Sequence, residues 1–264
     1  MSHDQPFLPP LLQLIVVMSA LAGAAGYLVL MIRTNRVKRL KHWPAWRLFF
    51  CLSGIVSAML VFAGPLAEAA HHDFRLHMAG HLLLGMLAPL LIALSAPVTL
   101  VLRALPVRAA KRVTRVLRHP VAGFYRNPVT ASVLNIGGLW LLYATPLFQL
   151  MHEHLWLYLL IHIHVFAAGY LFTISMIYID PAPHPYSHLF RTIVFIIALA
   201  AHGILSKYIY AKPFPGFSAD EVREGAMIMY YGGDLVDLII IILLFHSWYR
   251  TTSPGRRPAT DSIA

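Results

Sequence analysis

Seven stretches of about 20 mostly apolar residues constrain this chain more than any other feature of its sequence. A helix of roughly 20 such residues is needed to cross about 30 Å of hydrocarbon, because each residue rises ~1.5 Å. The stretches lie at 11–32, 45–67, 74–102, 128–150, 155–178, 189–210 and 227–249. With 58% hydrophobic and 12% charged residues among 264, the chain has more apolar surface than a soluble domain could bury. We therefore predict an all-α, polytopic membrane protein with seven transmembrane helices.

The seven stretches leave little room for other domains. We expect residues 1–250 to form a single transmembrane domain and residues 251–264, which are mostly polar, to form a disordered cytoplasmic tail. The third stretch is long enough to tilt, or to kink at Pro89 and Pro97.

The basic residues set the predicted orientation. The connections at 33–47, 103–126 and 179–191, together with the C-terminal segment, hold 17 of the 21 Lys and Arg residues. Because positive charge is retained on the cytoplasmic side, the N-terminus is predicted outside and the C-terminus inside. The positive charges of the first stretch follow its apolar run, which favours a retained helix over a secretory signal.

The same distribution explains the net charge of +10 without a nucleic-acid partner. The segment LPVRAAKRVTRVLRH at 105–119 has the pattern of an interfacial helix, with Val107, Ala110, Val113 and Leu117 on its lipid side. Membrane lipids are therefore the expected partner of these charges, the alternative being a protein or nucleic-acid surface.

The single cysteine, Cys51, limits the chemistry that is open to the chain. It cannot form an internal disulfide, and without a CxxC motif the chain lacks the thiolate site of soluble copper chaperones. A bound metal must therefore be held by nitrogen, oxygen or thioether groups.

Ionisable side chains concentrate in the predicted outer half of the membrane. Since such groups are costly inside a bilayer, their depth indicates a site that opens to the extracytoplasmic face. They are carried by four predicted helices, and we take them as candidate metal ligands: His77, His81, His162, His164, His202, Asp234 and Asp237.

The spacing of these residues ranks them. His77 and His81 are four residues apart, so one helix can offer both imidazoles to a single ion, although interhelical hydrogen bonding is the alternative. His162 and His164 diverge by about 200° on a helix, so at most one of them faces the same centre.

The remaining candidates have structural alternatives. His202 is a lone imidazole in an apolar helix, where a buried structural histidine is an equal alternative. Asp234 and Asp237 share a helix face and require a cation, a histidine, a metal or a proton; an ion pair with Lys207 is the structural alternative.

A second group of candidates lies at the predicted mouth of the site. Imidazole and thioether together suit copper, because thioethers select Cu(I) and imidazole accepts either oxidation state. A polar rim with packing methionines is the alternative for each of them. These rim candidates are His71, His72, Met78, His152, His154, Met227 and Met229.

Three segments carry a resemblance to the CtaG family of seven-helix assembly factors for cytochrome c oxidase, a family unrelated to the single-span copper chaperone of the same name. They are HMAGHLLLGMLAPLLIALSAP from His77, HEHLWLYLLIHIHVFAAGYLF from His152 and GAMIMYYGGDLVDL from Gly225. The likeness covers roughly residues 10–250, and one departure is Gly80, where the family more often has glutamine.

The resemblance implies a function that composition and spacing alone do not give. It implies maturation of a heme–copper oxidase in a bacterial plasma (inner) membrane, at the step where copper is handled. His77 and His81 would form the core of the site, with the fifth-helix histidines and Asp234 as further members. The expected partners are oxidase subunits and a copper donor, and a homo-oligomer is left open.

Three other functions remain open from the sequence. A heme-binding redox protein would use His81 and a histidine of the fifth or sixth helix as axial ligands. A proton- or ion-coupled transporter would use His202 and the two aspartates, and a structural partner of oxidase subunits would need no cofactor. No nucleophile–base pair or phosphate loop is recognisable, so we do not expect an enzyme.

Overall fold

The computed structural model describes residues 8–253, and the regular structure in that range is helical. The first helices are α1 (Pro10–Asn35), α2 (Ala45–Met59), α3 (Pro65–Ala69), α4 (Phe74–Leu82), α5 (Ala88–Leu94), α6 (Pro97–Ala104) and α7 (Val107–Leu117). The others are α8 (Pro120–Tyr125), α9 (Pro128–Ser132), α10 (Gly138–Ala144), α11 (Leu147–Glu153), α12 (Leu155–Met176), α13 (His188–Ala211) and α14 (Ala219–Thr252). Two π-helical turns, Leu83–Leu87 and Val133–Gly137, join α4 to α5 and α9 to α10.

Five helical segments of residues 8–253 are long and apolar enough to cross a membrane, and six if a bent pair counts as one span. The five are Pro10–Asn35, Phe74–Ala104, Leu155–Met176, His188–Ala211 and Ala219–Thr252. The regular structure of residues 8–253 is therefore all-helical, and its apolar helices are those of a multi-pass membrane protein. The prediction of seven spans is met only in part, because the second and fourth stretches are less regular than expected.

The second predicted stretch forms a helix of only 15 residues, α2, before the chain turns. The turn contains Gly64, whose φ of 90° is readily adopted by glycine alone. The fourth stretch is broken between Pro128–Ala144 and Leu147–Glu153, which meet at a bend of 80°. Pro146 lies at this bend, where it cannot donate the hydrogen bond that would continue the helix.

The third stretch is interrupted at both of the predicted prolines. The π-turn Leu83–Leu87 ends two residues before Pro89, and the Ala88 N–H bonds back to the Leu83 carbonyl. A second break at Ser95 and Ala96 precedes Pro97, and Ala96 adopts a left-handed φ of 53°. Because proline cannot supply the regular i→i−4 bond, the backbone finds other partners at these places.

The helices pack so that one end of the bundle collects the histidines. We call this the histidine end; α4, α12 and α14 begin there and α13 ends there. Helix α14 packs along both α4 and α13. Helix α12 approaches the first π-turn so closely that a Cβ on Gly169 would lie 2.0 Å from the Gly85 carbonyl oxygen. The backbones of α12 and the π-turn are therefore in direct contact.

The opposite, basic end holds the predicted interfacial helix. Helix α7 covers Val107–Leu117, and Val107 is 70% exposed and Val116 68% exposed. Nearby, the Asp180 carboxylate accepts hydrogen bonds from the Val98 N–H and from the N–H and hydroxyl of Thr99, which fixes the start of α6. Of the predicted tail 251–264, Thr251 and Thr252 continue α14, and 254–264 lie outside the described residues.

Candidate functional site

The start of α4 is held by a small ionic network. Asp73 is the N-cap residue, and its carboxylate accepts a hydrogen bond from the Arg75 N–H at 2.8 Å. The Arg75 guanidinium bonds the Asp73 carboxylate at 2.7 Å and the Glu224 carboxylate of α14 at 3.1 Å. The hydrogen bonds from Arg75 lower the pKa of Asp73, which therefore stays ionised. This network fixes the start of α4 against α14, next to His77.

His77 and His81 project from successive turns of α4 toward a buried tyrosine. The His77 Nε2 atom lies 3.1 Å from the Tyr143 hydroxyl oxygen. The His81 ring lies deeper, with its centroid 6.3 Å from that of Tyr143. Tyr143 is 1% exposed, so its hydroxyl depends on His77 for a partner. The shared helix face predicted for the two histidines is therefore directed into the bundle.

A small cavity, which we call the mouth cavity, lies beside these two histidines. Its volume is about 30 Å³, and a cavity open to roughly 10–15 Å³ of water-sized spheres can hold one water molecule. It is lined by side chains of α4, α10, α12 and the turn before α4, including His71, His77, His81, Tyr143, Tyr158 and His162. Four imidazoles thus border one space large enough for water or an ion.

A second space, the inner cavity, lies on the other side of His81. It has a volume of about 20 Å³, and its lining includes His81, Met86, Asn135, His202 and Asp237. Met86 and Asn135 each come from one of the two π-turns. His81 borders both cavities and therefore separates the mouth from the interior.

His81 and His202 face each other across the bundle. Their rings are nearly parallel, with an interplanar angle of 28° and centroids 6.5 Å apart. The two residues are 8% and 4% exposed, and the Nε2 atom of each has no hydrogen-bond partner among the described residues. Unpaired buried polar atoms are rare because each is costly. This pair consequently marks a place where a ligand would be stabilised.

The structure separates the two histidines of α12. His162 lines the mouth cavity, with its Nδ1 atom 2.8 Å from the Tyr158 carbonyl oxygen. His164 is exposed on another side of the helix, where its Nε2 atom lies 3.1 Å from the Leu134 carbonyl oxygen. As expected from their spacing, only one of the two faces the centre.

The two aspartates of α14 are also separated. Asp237 is 4% exposed and lines the inner cavity beside His202. Asp234 is exposed on the outside of the bundle, and it forms no ion pair with Lys207. Gly233 of α14 lies directly against the His202 ring, since a Cβ there would lie 2.6 Å from the His202 Cε1 atom. The absence of a side chain at Gly233 allows His202 its position.

The rim candidates fall into two groups. His71 and His152 lie at the mouth with ring centroids 5.8 Å apart, and His152 lies 6.0 Å from His77. Burial and the neighbouring histidines lower the pKa of His71 to about 4, so its ring is neutral at neutral pH. The other members lie elsewhere: His72, His154 and Met227 are exposed, and Met78 and Met229 are fully buried in the apolar core.

The seven predicted ligands therefore do not surround one point. Within residues 8–253, no group of three or more His, Cys, Asp or Glu side chains is arranged to hold one metal ion. What the site offers is a pair of facing imidazoles, His81 and His202, with a thioether and a carboxylate on the same cavity wall. A tetrahedral cage of four ligands is not formed, and the donor set suits an ion that accepts few ligands.

Sequence reasoning missed three residues of this site: Tyr143, Asn135 and Met86. Asn135 carried a usable signal, because it is an amide within an otherwise apolar stretch, SVLNIGGLWLLY. Tyr143 and Met86 carried none, since an aromatic residue or a methionine in an apolar helix is usually part of the core. Tyr143 and Met86 line the cavities only because the π-turns and the packing of the helices turn their side chains inward.

Comparison with known proteins gives one family match. The sequence model of the family described as cytochrome c oxidase caa3 assembly factor (Caa3_CtaG) matches residues 25–251. No solved structure gives a significant match to the chain.

Its relatives include mycobacterial proteins that are described as uncharacterised. One from Mycobacterium leprae is 26% identical over 253 residues, which is 88% of this chain and 38% of that protein. Two others, from Mycobacterium bovis and Mycobacterium tuberculosis, are each 37% identical over 176 residues, covering 63% of this chain and 25% of theirs. The chain thus spans well under half the length of the relatives that it matches.

Proposed function

The chain belongs to the caa3 cytochrome c oxidase assembly factor family, and we propose that it serves the maturation of a heme–copper oxidase by taking up copper at the histidine end and handing it over. In this proposal copper is the cargo of the protein. The oxidase subunit is its acceptor, and a separate copper protein is its donor.

One observation carries the proposal: the facing imidazoles of His81 and His202. Both Nε2 atoms are buried without a partner among the described residues, so the interior favours a ligand that accepts electron pairs from nitrogen. An ion held about 2.0–2.1 Å from each Nε2 atom fits ring centroids 6.5 Å apart only in a nearly linear arrangement, with the two rings turned so that both Nε2 lone pairs point at the ion. Such a pair binds one ion with ligands that remain exchangeable, as transfer requires.

A row of imidazoles supports entry from the histidine end. His71 and His152 lie at the mouth, His77 follows, and His81 separates the mouth cavity from the inner cavity. Consecutive members have ring centroids about 6 Å apart or share a cavity wall. An ion can therefore pass from one nitrogen to the next by small movements.

The donor set favours Cu(I) among the candidate ions. Thioethers and imidazoles are ligands that Cu(I) accepts, and Met86 lies on the same wall as the histidine pair. Zinc and calcium sites require more ligands than the pair supplies.

The membrane arrangement completes the proposal. We place seven crossings in the membrane, counting α2 with its following turn and the bent pair α9–α11 as irregular spans. The clustered basic residues put the opposite end in the cytoplasm. The histidine end, with its cavities, then opens to the extracytoplasmic face of a bacterial plasma membrane.

A structural role without cargo is the second candidate, and a specific observation favours it. His77 and His164 each have a ring nitrogen within hydrogen-bond distance of a group on another helical segment, as helix-bonding histidines would. Heme has less support, because the cavities of about 30 and 20 Å³ are far smaller than the ~300–1,000 Å³ of typical organic-ligand pockets. Neither proposal includes catalysis by the chain itself.

Metal analysis of the detergent-purified protein tests the proposal. Protein loaded with Cu(I) should retain copper, and H81Q combined with H202Q should lose it and lower oxidase activity in cells. The matched control is H164Q, because that imidazole lies outside both cavities. Equal copper content in all three proteins would refute the proposal and favour the structural role, and a Soret band would favour heme.

A further inference from the structure

Asp234 is exposed on the side of α14 that faces away from the bundle. The surrounding face is apolar and also exposed: Tyr231 is 68% exposed, Leu235 65% and Leu238 49%. This carboxylate lies within the apolar part of a helix that is long enough to cross the membrane. It therefore points toward lipid or toward another molecule in the membrane.

A lipid environment does not suit this carboxylate. Ionisable residues within transmembrane segments almost always face the bundle interior, a water-filled cavity or a partner. Long Lys and Arg side chains can reach the interface from such positions, but aspartate has a single methylene and cannot. Asp234 lies one helical turn inside Tyr230, so its short side chain remains at hydrocarbon depth.

The chain itself supplies no partner for Asp234. No hydrogen bond or ion pair of its carboxylate is found among residues 8–253. Gly203 of α13 lies opposite Tyr230, since a Cβ there would lie 3.3 Å from the Tyr230 ring. Lys207 lies one turn from Gly203 toward the histidine end, and Asp234 lies one turn from Tyr230 in the other direction. The Cα atoms of Lys207 and Asp234 are thus offset by roughly 12 Å along the helices, and the Lys207 ammonium lies over the Tyr230 ring, 5.6 Å from its centroid.

A crevice beside this face could receive a second helix. It lies between α13 and α14 toward the histidine end and has a volume of about 360 Å³. Its lining combines aromatic rings, a cation and a hydroxyl: Ser206, Lys207, Tyr210, Met227, Tyr230 and Tyr231. A helix lying along the exposed face of α14 would place its own large side chains in this crevice and cover Asp234.

We propose that Asp234 docks a transmembrane helix of the oxidase subunit that receives the ion, and that this helix presents a basic or strongly hydrogen-bonding side chain at the depth of Asp234. The inference rests on the proposed function for the identity of the client. Charge complementarity selects the chemistry of the helix, because an unpaired carboxylate in hydrocarbon is best stabilised by a cation or a donor.

The position of Asp234 also relates docking to the ion site. Asp237 lies three residues further along α14 and lines the inner cavity, and Gly233 contacts the His202 ring. Docking and ion binding thus occupy two sides of the same turns of α14. A client helix at Asp234 lies one helix diameter from the histidine pair, a short distance for transfer.

Co-purification of oxidase subunits with the tagged, full-length chain tests the docking surface. D234N should reduce the recovered subunit by about tenfold, and D234E should restore most of it. The matched control is D220N, which makes the same change on the same helix at an exposed carboxylate that pairs with Arg223 outside the apolar run. Unchanged recovery with D234N would overturn the proposal.

A photo-crosslinking amino acid in place of Leu235 tests the occupant without disturbing Asp234. The expected adduct is a transmembrane peptide of an oxidase subunit that carries Lys, Arg or His. Adducts with lipid alone, or with a second copy of this chain, would overturn the docking proposal. If D234N does not accumulate in the membrane, this crosslinking measurement still tests whether an oxidase helix lies against the exposed face of α14.

Copper content separates this inference from the proposed function. D234N should retain the copper of the wild-type protein, because Asp234 lies outside both cavities. If the wild-type protein holds no copper but still recovers the oxidase through Asp234, the copper proposal fails and the docking surface stands. If copper is bound and recovery does not depend on Asp234, the docking surface fails alone.

Discussion

Two glycines provide a matched test of the histidine pair. An added Cβ would lie 2.6 Å from the His202 Cε1 atom at Gly233, and 2.6 Å from the His164 Nε2 atom at Gly138. G233A and G138A therefore introduce the same methyl group at the same distance from an imidazole. They differ in that His202 borders the inner cavity and His164 lies outside both cavities.

The structure gives the size of the expected effect. To reach an ordinary contact of 3.4 Å, either ring must move by roughly 0.8 Å. Metal–ligand distances tolerate only about ±0.2 Å, so we expect G233A to weaken Cu(I) binding by about 10–100-fold, the range of changes that misplace a ligand. Overpacking costs about 1–3 kcal/mol of stability, and the gain of about 1 kcal/mol from replacing a helical glycine offsets part of it.

Competition with a chelator of known Cu(I) affinity measures the change in Cu(I) binding, and thermal unfolding in detergent measures the change in stability. G138A should show a similar change in unfolding with unaltered Cu(I) affinity. If both variants weaken binding equally, the loss comes from general destabilisation. If neither weakens it, His202 is not a ligand and the histidine pair is not the site.

Other predictions test the packing that positions the site. G169A should destabilise the protein by more than about 3 kcal/mol or prevent its accumulation, because the new methyl group would meet the Gly85 backbone; G123A, with open space around it, should not. D180N should lower the thermal midpoint by removing about 1–3 kcal/mol of charged cap bonds. Y143F should cost about 1–3 kcal/mol in the same unfolding assay, because it leaves a buried imidazole nitrogen unpaired.

The helical fold was predictable because hydropathy alone excludes most alternatives. What hydropathy could not give is where a long apolar stretch is interrupted. The bend of 80° before α11 occurs at Thr145 and Pro146, and the sequence showed this proline without showing how far the chain would turn. The short α2 ends at Met59 and is followed by the turn at Gly64, and a count of apolar residues does not reveal this break.

That three of the polar groups share one level of the bundle was predictable, and the direction of the side chains was not. Counting residues along each stretch placed His81, His202 and Asp237 in one layer, and the structure brings their side chains to one cavity. Asp234 and Asp237 differ by only about 60° around a helix, because three residues rotate it by about 300°. The boundary between the buried and exposed faces of α14 falls within that angle, and only the packing against α4 and α13 sets where it falls.

The two π-turns explain how an apolar bundle accommodates such a cavity. Each inserts one residue into a helix and widens the backbone locally, a feature that recurs at functional sites. One π-turn contributes Met86 and the other contributes Asn135 to the lining of the inner cavity, whose volume is about 20 Å³. Both π-turns therefore lie at the level of the histidine pair. Pro89 prevents a regular bond to the Gly85 carbonyl, which makes the first turn a consequence of the sequence. The site therefore depends on two interruptions of regular helix as much as on the imidazoles that they bring together.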